Sequence, residues 1–379
     1  MSESRERPGG WDGFRTFVVK RKQPESQTVT SFYLAPQDGG LLPAYRPGQF
    51  LGFRLEVPGV DAPVVRTYTL SDAPGDGRHY RLSIKREPAP PGDRAVPPGL
   101  SSNHFHDNVR VGSTLQVRAP AGDFYLRDGG RPVVLLSGGV GLTPMISMLN
   151  HLVADGDKRR VWFIHGVRNG AEHAFGPHVR ELAGKHANVG VHIAYLEPRP
   201  ADEPGRDYDS SGVITLDLLQ RLLPGPGCDF YLCGPPPFMK ALFNALLDWG
   251  AAEDRIYYEF FGPATVLKED KAAAGNPAPP TAAAAPDSAA AVSAAVAVTF
   301  QRSGLTVPWD PKAGSILDLA EANGLTPAFS CRSGVCHTCM CGLIEGEVEY
   351  VDDGVFLPDD PDQVLICSSR PKTDVTVDA

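Results

Sequence analysis

Residues 133–153 read VVLLSGGVGLTPMISMLNHLV, an apolar run followed by a glycine cluster and a stretch with helical periodicity. Further apolar runs, each followed by a segment that can be helical, are RVWFIHGV at 160–167, VGVHIAY at 189–195 and DFYLCGP at 229–235. Strands that alternate with helices predict βαβ units, and therefore a parallel sheet. We expect an α/β domain over residues 131–266.

The glycine cluster favours an anion site at the start of a helix. Gly139 and Gly141 would let a phosphate approach the backbone, and the helix N-terminus supplies positive partial charge. We expect Thr143 to cap the helix and Pro144 to be its first helical residue. The pattern departs from G-x-G-x-x-G, but a plain strand-to-helix turn would not need three glycines.

A second candidate segment ends the strand DFYL. Cys233 and Gly234 follow that strand at the carboxyl edge of the predicted sheet, where parallel sheets bind ligands. The segment YYEFFGP, at 257–263, ends the domain with an acid, Glu259, and with Phe261, where a simple domain end would need neither.

The N-terminal part of the chain predicts a different architecture. Over residues 12–127, short β-rich runs alternate with Pro/Gly turns, which is typical of a small antiparallel barrel. Arg66, Tyr68 and Thr69 place a cation, an aromatic ring and a hydroxyl on one predicted strand. A local bend is needed if all three are to touch one ligand.

A turn farther along the barrel offers donors to a phosphate. Gly99 and Ser102 bracket the sequence GLSS, which combines backbone N–H groups with hydroxyls. The alternative for both barrel segments is an ordinary polar barrel face.

Cysteines dominate the C-terminal part of the chain. Cys331, Cys336, Cys339 and Cys367 have the C-x4-C-x2-C spacing, with a distant fourth cysteine, of a plant-type [2Fe–2S] site. Zinc is the alternative, but paired C-x2-C motifs would then be expected and only one is present. Cys341 could in principle replace a ligand, although its place on the following strand favours a packing role.

Three histidines near these segments are weighed as ligands and set aside. His104 and His106 are expected at a helix start without a third ligand nearby, and His337 lies inside the cysteine loop. We expect structural or surface roles for all three.

An Ala/Pro-rich tract separates the cysteine-containing part from the rest. Residues 267–291 contain no aromatic residue to pack, and we predict a flexible linker there. The last domain is then expected over residues 292–379.

Two resemblances follow from these segments. FSCRSGVCHTCMCGLIEGEVEY, at 329–350, resembles a plant-type ferredoxin domain, which implies an α+β, β-grasp fold. RTYTLSDAP, YRLSIKRE, GLSSNHFH and APAGDFYL resemble the ferredoxin–NADP reductase family and are similar to the reductase half of flavohaemoglobins. The resemblance implies a flavin-binding barrel followed by an NAD(P)H-binding domain.

In that family the motif arginine pairs with the flavin pyrophosphate, the tyrosine packs on the isoalloxazine and the hydroxyl bonds near flavin N5. The resemblance therefore implies these roles for Arg66, Tyr68 and Thr69. The second phosphate motif, from Gly99 to Ser102, favours FAD over FMN.

The resemblance also implies roles in the α/β domain. A glycine cluster that ends in Thr143-Pro144 is the family's nicotinamide-nucleotide signature, and Cys233 would lie beside the nicotinamide C4. Phe261 would cover the flavin until the nicotinamide displaces it, with Glu259 near the hydride path. Arg168 is the only obvious candidate for a 2′-phosphate contact, and we expect NADH rather than NADPH.

The charge and the apolar content of the sequence limit the kinds of partner that the chain can bind. With 36 basic and 45 acidic residues the net charge is −9, which opposes sequence-independent binding to nucleic acid or to an anionic membrane. No stretch approaches the length of apolar sequence that spans a bilayer. We expect a cytoplasmic protein and a monomer.

Together the three binding modules predict electron transfer from NADH (or NADPH) through FAD to a [2Fe–2S] cluster. The expected final acceptor is a separate protein, either an oxygenase component, a cytochrome or another metalloenzyme. One alternative is a self-contained flavin oxidase or quinone reductase that acts on a small acceptor. A redox-sensing regulator is the other, and the acidic charge argues against it.

Overall fold

The computed structural model describes residues 10–61, 63–75, 77–89, 97–261, 267, 296–329, 331–332, 334–351, 355–358 and 360–379. The chain forms two compact units, Met1–Phe261 and Gly262–Ala379. Apart from Leu267, the predicted linker at 267–291 lies outside the described residues. The domain boundaries proposed from the sequence stay predictions.

The first half of unit 1 is an antiparallel sheet of six strands and one helix. Its elements are β1 Arg15–Pro24, β2 Val29–Pro36, β3 Phe50–Leu55, β4 Val64–Thr69, β5 Tyr80–Lys85, α1 Leu100–Asp107 and β6 Thr114–Val117. The strand order is β4-β3-β6-β1-β2-β5. A bridge between Leu70 and Leu82 joins the two outer strands, so the sheet closes as the predicted barrel.

Large apolar side chains fill the inside of this barrel. Phe17, Phe32, Phe53 and Phe105 are fully buried, and Phe105 brings α1 against the strands with its ring edge-to-face to that of Phe32. The core therefore fixes the position of α1, which follows the Gly99 turn.

The second half of unit 1 is the predicted parallel sheet. Its elements are β7 Val133–Gly138, α2 Leu142–Ala154, β8 Val161–Val167, α3 Gly176–Lys185, β9 Val189–Tyr195, β10 Ser210–Ser211, α4 Leu216–Leu222, β11 Asp229–Cys233, α5 Pro236–Trp249 and β12 Ile256–Glu259. The order is β10-β9-β8-β7-β11-β12. All five neighbouring pairs are parallel, so the carboxyl ends of the strands meet at one edge.

Unit 2 is a small α+β fold, as expected. Its elements are β13 Ala297–Phe300, β14 Leu305–Pro308, α6 Ile316–Ala322, β15 Met340–Glu345, β16 Val348–Tyr350, β17 Gln363–Leu365, β18 Ser369–Pro371 and β19 Val375–Val377. Five strands form the sheet β14-β13-β19-β15-β17, and β16 pairs with β18. Helix α6 packs its apolar side on this sheet.

One position predicted from the sequence is wrong. His104 and His106 were expected at a helix start, but α1 begins at Leu100 and both histidines lie in its last turn. The helix begins earlier because Gly99 serves as its N-cap.

No helix in the described part of the chain has both the length and the apolar composition that a membrane span requires.

Candidate functional site

Strand β4 carries the three predicted flavin contacts. It pairs with β3 in continuous register from Val64 to Thr69, so the local bend considered from the sequence is not present within the strand. Arg66 and Tyr68 therefore share one face, and Thr69, the last residue, points to the other. Arg66 is exposed and donates to the Val65 carbonyl, whereas Thr69 is buried.

Tyr68 is held in place by the helix that follows the Gly99 turn. Its hydroxyl is 2.8 Å from Ser101 Oγ, and its ring stands edge-to-face to Phe105 with centroids 5.1 Å apart. Burial raises the pKa of Tyr68 to about 12. The phenol is therefore neutral at physiological pH, as a ring that packs on a ligand should be.

The Gly99 turn is tightly built. A Cβ on Gly99 would lie 2.6 Å from Ser102 Oγ and 2.9 Å from Glu87 Cβ, so this position requires glycine. Ser102 Oγ donates to the Gly99 carbonyl and accepts from the Glu87 N–H. Ser102 thus stabilises the turn, and Ser101 is the serine that reaches Tyr68. The sequence interpretation missed Ser101, although its place in GLSS was visible.

The glycine cluster and the Cys233 segment meet at the carboxyl edge of the parallel sheet. A Cβ on Gly141 would be 2.2 Å from the Cys233 carbonyl oxygen and 2.8 Å from the Gly234 nitrogen. Gly138 approaches Pro235 in the same way, at 2.9 Å from its Cδ. Backbone packing between the two loops therefore explains part of the glycine content, whereas Gly139, with φ +54°, has open space on its Cβ side.

The start of α2 differs from the prediction. Thr143 was expected as the cap and Pro144 as the first helical residue, but α2 begins at Leu142 with Gly141 as its N-cap. A short 3-10 helix over Gly139–Gly141 runs directly into α2, so the helix starts closer to the N-terminus than expected. The Thr143 hydroxyl instead donates back to the Val140 carbonyl at 3.2 Å.

Cys233 lies directly opposite Glu259 in the pairing of β11 with β12. The cysteine is fully buried, and its burial and the Glu259 carboxylate raise the pKa of its thiol well above the ordinary value. Such a thiol is a poor nucleophile at neutral pH. The arrangement suits a small side chain that shapes a site and does not suit covalent chemistry.

Two aromatic residues follow Glu259 at the end of unit 1. Phe260 is buried and lies edge-to-face to Tyr258, whereas the side chain of Phe261 is 44% exposed. Phe261 is thus the accessible ring of this pair, and its role as a covering aromatic stays a prediction.

The cysteine loop of unit 2 points backbone donors at its sulfurs. The N–H groups of Val335 and Cys336 donate to Cys331 Sγ at 3.4 and 3.3 Å, and the Cys331 N–H donates to Cys336 Sγ at 3.5 Å. Gly334 has φ +66°, and a Cβ there would be 2.8 Å from Val355. Hydrogen bonds of this kind stabilise thiolates and tune a bound cluster.

The Cys339 and Cys367 thiols lie close to the Cys331 thiol. Side-chain hydrogen bonds with Cys331 and Cys339 raise the pKa of the Cys367 thiol, so these three side chains are neighbours. Cys367 follows β17 and comes 28 residues after Cys339 in sequence, yet the fold brings the two together. The three cysteines of the loop and Cys367 thus provide four soft sulfur donors close together, which fits a [2Fe–2S] cluster.

Single-ion sites were considered as well. Within the described residues, no three Cys, His, Asp or Glu side chains have the arrangement of ligands around one metal ion. A [2Fe–2S] cluster does not require three protein ligands around one metal ion, because each of its two irons is held by two of the four thiolates.

His337 and Cys341 have structural partners. His337 has φ +59°, and its Nε2–H donates to the Phe356 carbonyl at 2.7 Å. Cys341 lies on β15, where it packs against the core of unit 2. Both contacts are structural, and the expectation that neither residue binds the cluster stays a prediction.

Arg168, the candidate for a 2′-phosphate contact, is paired. Its Nε donates to Glu197 Oε2 at 3.0 Å, and both side chains are exposed. The two residues follow β8 and β9 at the carboxyl edge of the sheet. A carboxylate at such a strand end suits a ribose hydroxyl and repels a phosphate.

Family models match the chain in three consecutive segments. An oxidoreductase FAD-binding domain matches residues 16–125, an oxidoreductase NAD-binding domain matches 135–243, and a 2Fe-2S iron-sulfur cluster binding domain matches 298–372. The three predicted cofactors are thereby confirmed at the level of the domains.

Curated relatives include flavohemoproteins. That of Halalkalibacterium halodurans is 45% identical over 266 residues, which is 70% of this chain and 64% of the relative. That of Bordetella pertussis is 47% identical over 257 residues, 68% of this chain and 62% of the relative. The chain thus matches less than two thirds of the length of these relatives.

Two solved structures are similar to this chain, one to part of it and one to nearly all of it. The flavohem-like FAD/NAD-binding domain of nitric oxide dioxygenase from Vibrio cholerae is 40% identical, with a TM-score of 0.59, and covers 66% of this chain and 100% of that one. Phthalate dioxygenase reductase is 24% identical, with a TM-score of 0.55, and covers 97% of this chain and 98% of that one. The second likeness shows a shared three-module fold.

Proposed function

Because this chain belongs to the ferredoxin–NADP reductase family of FAD- and NAD-binding oxidoreductases, with a C-terminal [2Fe–2S] domain, we propose that it passes electrons from NADH to a separate acceptor protein. One observation carries this proposal: a flavin, a nucleotide and a cluster module occur in that order on one chain. A hydride carries two electrons, and a [2Fe–2S] cluster takes one. Bound flavin supplies the conversion between the two.

The barrel residues would hold the flavin. Arg66 is the exposed cation for the pyrophosphate, Tyr68 presents a neutral ring fixed by Ser101, and Thr69 supplies a hydroxyl at the strand end. The Gly99 turn, which Ser102 stabilises, would form the second phosphate contact at the N-terminus of α1.

The strand ends of the parallel sheet would hold the nucleotide. Gly139, Gly141, Thr143 and Pro144 open α2, whose N-terminus favours the pyrophosphate. Nearby, Cys233 and Gly234 pack against Gly141 and limit the space beside the nicotinamide ring.

Glu259 and Phe261 would control access to the hydride path. Glu259 lies beside Cys233 in the sheet, and the exposed Phe261 ring can cover the flavin face in the absence of nucleotide. Covering that face keeps solvent, and the oxidants dissolved in it, away from the reduced ring.

Cys331, Cys336, Cys339 and Cys367 would bind the cluster. Backbone N–H groups already point at the first two of these sulfurs, so the loop is preorganised for thiolate ligands. The acceptor would take electrons from this unit, and an oxygenase component, a cytochrome or another metalloenzyme fits that chemistry.

NADH is the proposed coenzyme because Arg168, the candidate cation for a 2′-phosphate, already pairs with the Glu197 carboxylate. Replacing Glu197 with Gln should free Arg168 and lower the KM for NADPH, with little change for NADH, in steady-state assays. Arg168→Ala is the control, since it removes the cation and should give no gain with NADPH. Equal KM values for the two coenzymes in the unaltered protein would contradict this assignment.

The proposal is tested on purified protein with its flavin and iron contents assayed. NADH oxidation is followed with ferricyanide and with cytochrome c as acceptors, for the full chain and for a chain that ends at Phe261. We expect the shortened chain to keep ferricyanide reduction and to lose cytochrome c reduction. Full cytochrome c reduction by the shortened chain would favour the alternative, a flavin oxidase or quinone reductase that uses small acceptors directly.

A further inference from the structure

A chain of hydrogen bonds crosses from the barrel to the parallel-sheet domain. Asn150 of α2 donates its Nδ2–H to Asp72 Oδ1 at 2.8 Å, and its Oδ1 accepts from His178 Nε2 of α3 at 2.7 Å. Ser147, one turn earlier on α2, donates to the Asp72 carbonyl at 2.6 Å. Asp72 is thus held through both its side chain and its backbone.

Asp72 has further partners in the barrel, and one of them contacts the parallel-sheet domain. Tyr45 donates its hydroxyl to the same Asp72 carbonyl, and Ala73 N–H donates to Oδ1 at 3.0 Å. The Arg81 guanidinium lies 3.6 Å from Oδ2 and sits over the Phe175 ring at 4.9 Å. Arg81 is 8% exposed, whereas the Asp72 side chain is 33% exposed, so the Arg81 side of this contact is buried and Asp72 itself still reaches water.

The two ends of this connection belong to the two halves of the proposed site. Asp72 comes three residues after Thr69, at the end of the flavin strand. Ser147 and Asn150 come six and nine residues after Gly141, on the helix that begins at the nucleotide loop. A helix is stiff over that distance, about 9–14 Å at 1.5 Å per residue.

We infer that Asp72 is a positioning residue, which fixes α2 against the flavin strand and so sets the approach of the nicotinamide ring to the flavin. This inference rests on the proposed function. Each ring would be held by a different domain, and hydride transfer needs the reacting atoms within about 3.5 Å of each other. Asp72 touches neither ring, so it would act through β4 and α2.

The inference predicts a change in rate without a change in affinity. Asp72→Ala should lower the rate constant of flavin reduction by NADH roughly 10- to 100-fold, the cost of about 1 Å of misplacement. The dissociation constants of FAD and NADH should stay within about twofold, because none of their proposed contacts is removed. Stopped-flow absorbance of the holoprotein measures the rate, and fluorescence titrations measure both affinities.

Two further variants separate positioning from folding. Asp72→Asn keeps an oxygen that can accept from Asn150, and we expect it to restore the rate to within about threefold of the original. Asn150→Ala removes the same bond from the helix side, where alanine favours helix, and should reproduce the loss if Asp72→Ala fails to fold. Asp61→Ala, at an exposed aspartate of the β3–β4 loop, is the matched control.

Hydrogen exchange supplies a readout that does not depend on turnover. Amides of residues 70–73 should exchange faster in Asn150→Ala than in the unaltered holoprotein, and those of the distant β9 should not. An unchanged rate constant, unchanged exchange, or a rate loss that follows loss of FAD would each overturn the inference. Failure of the unaltered protein to reduce its flavin with NADH or NADPH would instead overturn the proposed function.

Discussion

Gly141 leaves no room for a side chain at the proposed nucleotide site. The nearest atom to its Cβ position is a backbone oxygen of Cys233 at 2.2 Å, which no rotamer change can move. Gly141→Ala should therefore destabilise the protein by about 1–3 kcal/mol, the usual cost of overpacking, and should weaken NADH binding. Thermal unfolding and a fluorescence titration with NADH measure the two effects.

Gly184 is the matched control for this substitution. It lies within α3, has no atom within 4 Å of its Cβ position and does not need a positive φ. Gly184→Ala should stabilise the protein by about 0.5–1 kcal/mol through helix propensity. Equal stability of the two variants would show that the loops are not packed as described.

The Cys233 thiol should be inert in the folded protein. Its burial and the neighbouring Glu259 raise the pKa of the thiol, so the thiolate that attacks alkylating reagents is scarce at pH 8. Iodoacetamide followed by mass spectrometry should leave Cys233 unmodified unless the chain is first unfolded in denaturant. Stoichiometric labelling of Cys233 under native conditions would contradict the burial described here.

Single residues also show what the sequence could and could not predict. The spacing of Cys331, Cys336 and Cys339 indicated the cluster module because ligand spacing in a tight loop is local information. Asp72 and Asn150 gave no such signal, since they are 78 positions apart and meet only through the packing of two domains. Ser101 lies between these cases, because its motif was visible and its hydrogen bond to Tyr68 was not.

Helix α1 depends on a lysine from a distant strand. Lys22 Nζ donates to the carbonyls of Phe105, His106 and Val109, at 3.2, 2.8 and 3.0 Å. These bonds close the C-terminal end of the helix that Gly99 caps and whose first turn carries Ser102. A charged donor at a helix C-terminus also complements the helix dipole.

Lys22→Met should loosen that helix. Losing charge-assisted hydrogen bonds at a half-buried site should cost about 1.5–3 kcal/mol of stability and should raise the dissociation constant of FAD. Lys20→Met, two residues away on the exposed side of β1, is the control and should change neither value. Calorimetry of the apoprotein and flavin titration measure both, and identical behaviour of the two variants would rule out this capping role.

Element boundaries followed from the sequence less well than element types. The alternation of apolar runs and helical segments correctly predicted the parallel sheet from β7 to β12, because periodicity reports which face is buried. The start of α2 was misplaced because Thr143 and Pro144 have strong local preferences for the first positions of a helix. The 3-10 turn over Gly139–Gly141 overrides those preferences by starting the helix earlier.

Charge is divided unevenly along the chain. Residues 1–261 contain 29 basic and 29 acidic side chains, whereas residues 262–379 contain 7 basic and 16 acidic ones, which account for the whole net charge of −9. The module that would deliver electrons is thus strongly acidic and the reductase module is neutral. An acidic donor surface speeds encounters with a positively charged acceptor.

Electron transfer to a positively charged acceptor such as cytochrome c should therefore slow as salt is added. Raising the ionic strength from about 0.02 M to about 0.3 M shortens the screening length severalfold, and the second-order rate constant should fall with it. Reduction of an uncharged quinone by the same protein is the control and should not respond. A salt-independent cytochrome rate would mean that the acidic unit does not guide the encounter.

The most direct measurement follows both chromophores after anaerobic mixing with NADH. Visible absorbance reports the flavin, and electron paramagnetic resonance of frozen samples reports the reduced [2Fe–2S] cluster. The proposed route runs from a flavin that packs on Tyr68 to a cluster held by the four cysteines. It predicts that the flavin absorbance bleaches first and that the cluster signal then approaches one spin per chain. Complete flavin reduction with no cluster signal at any time would contradict it.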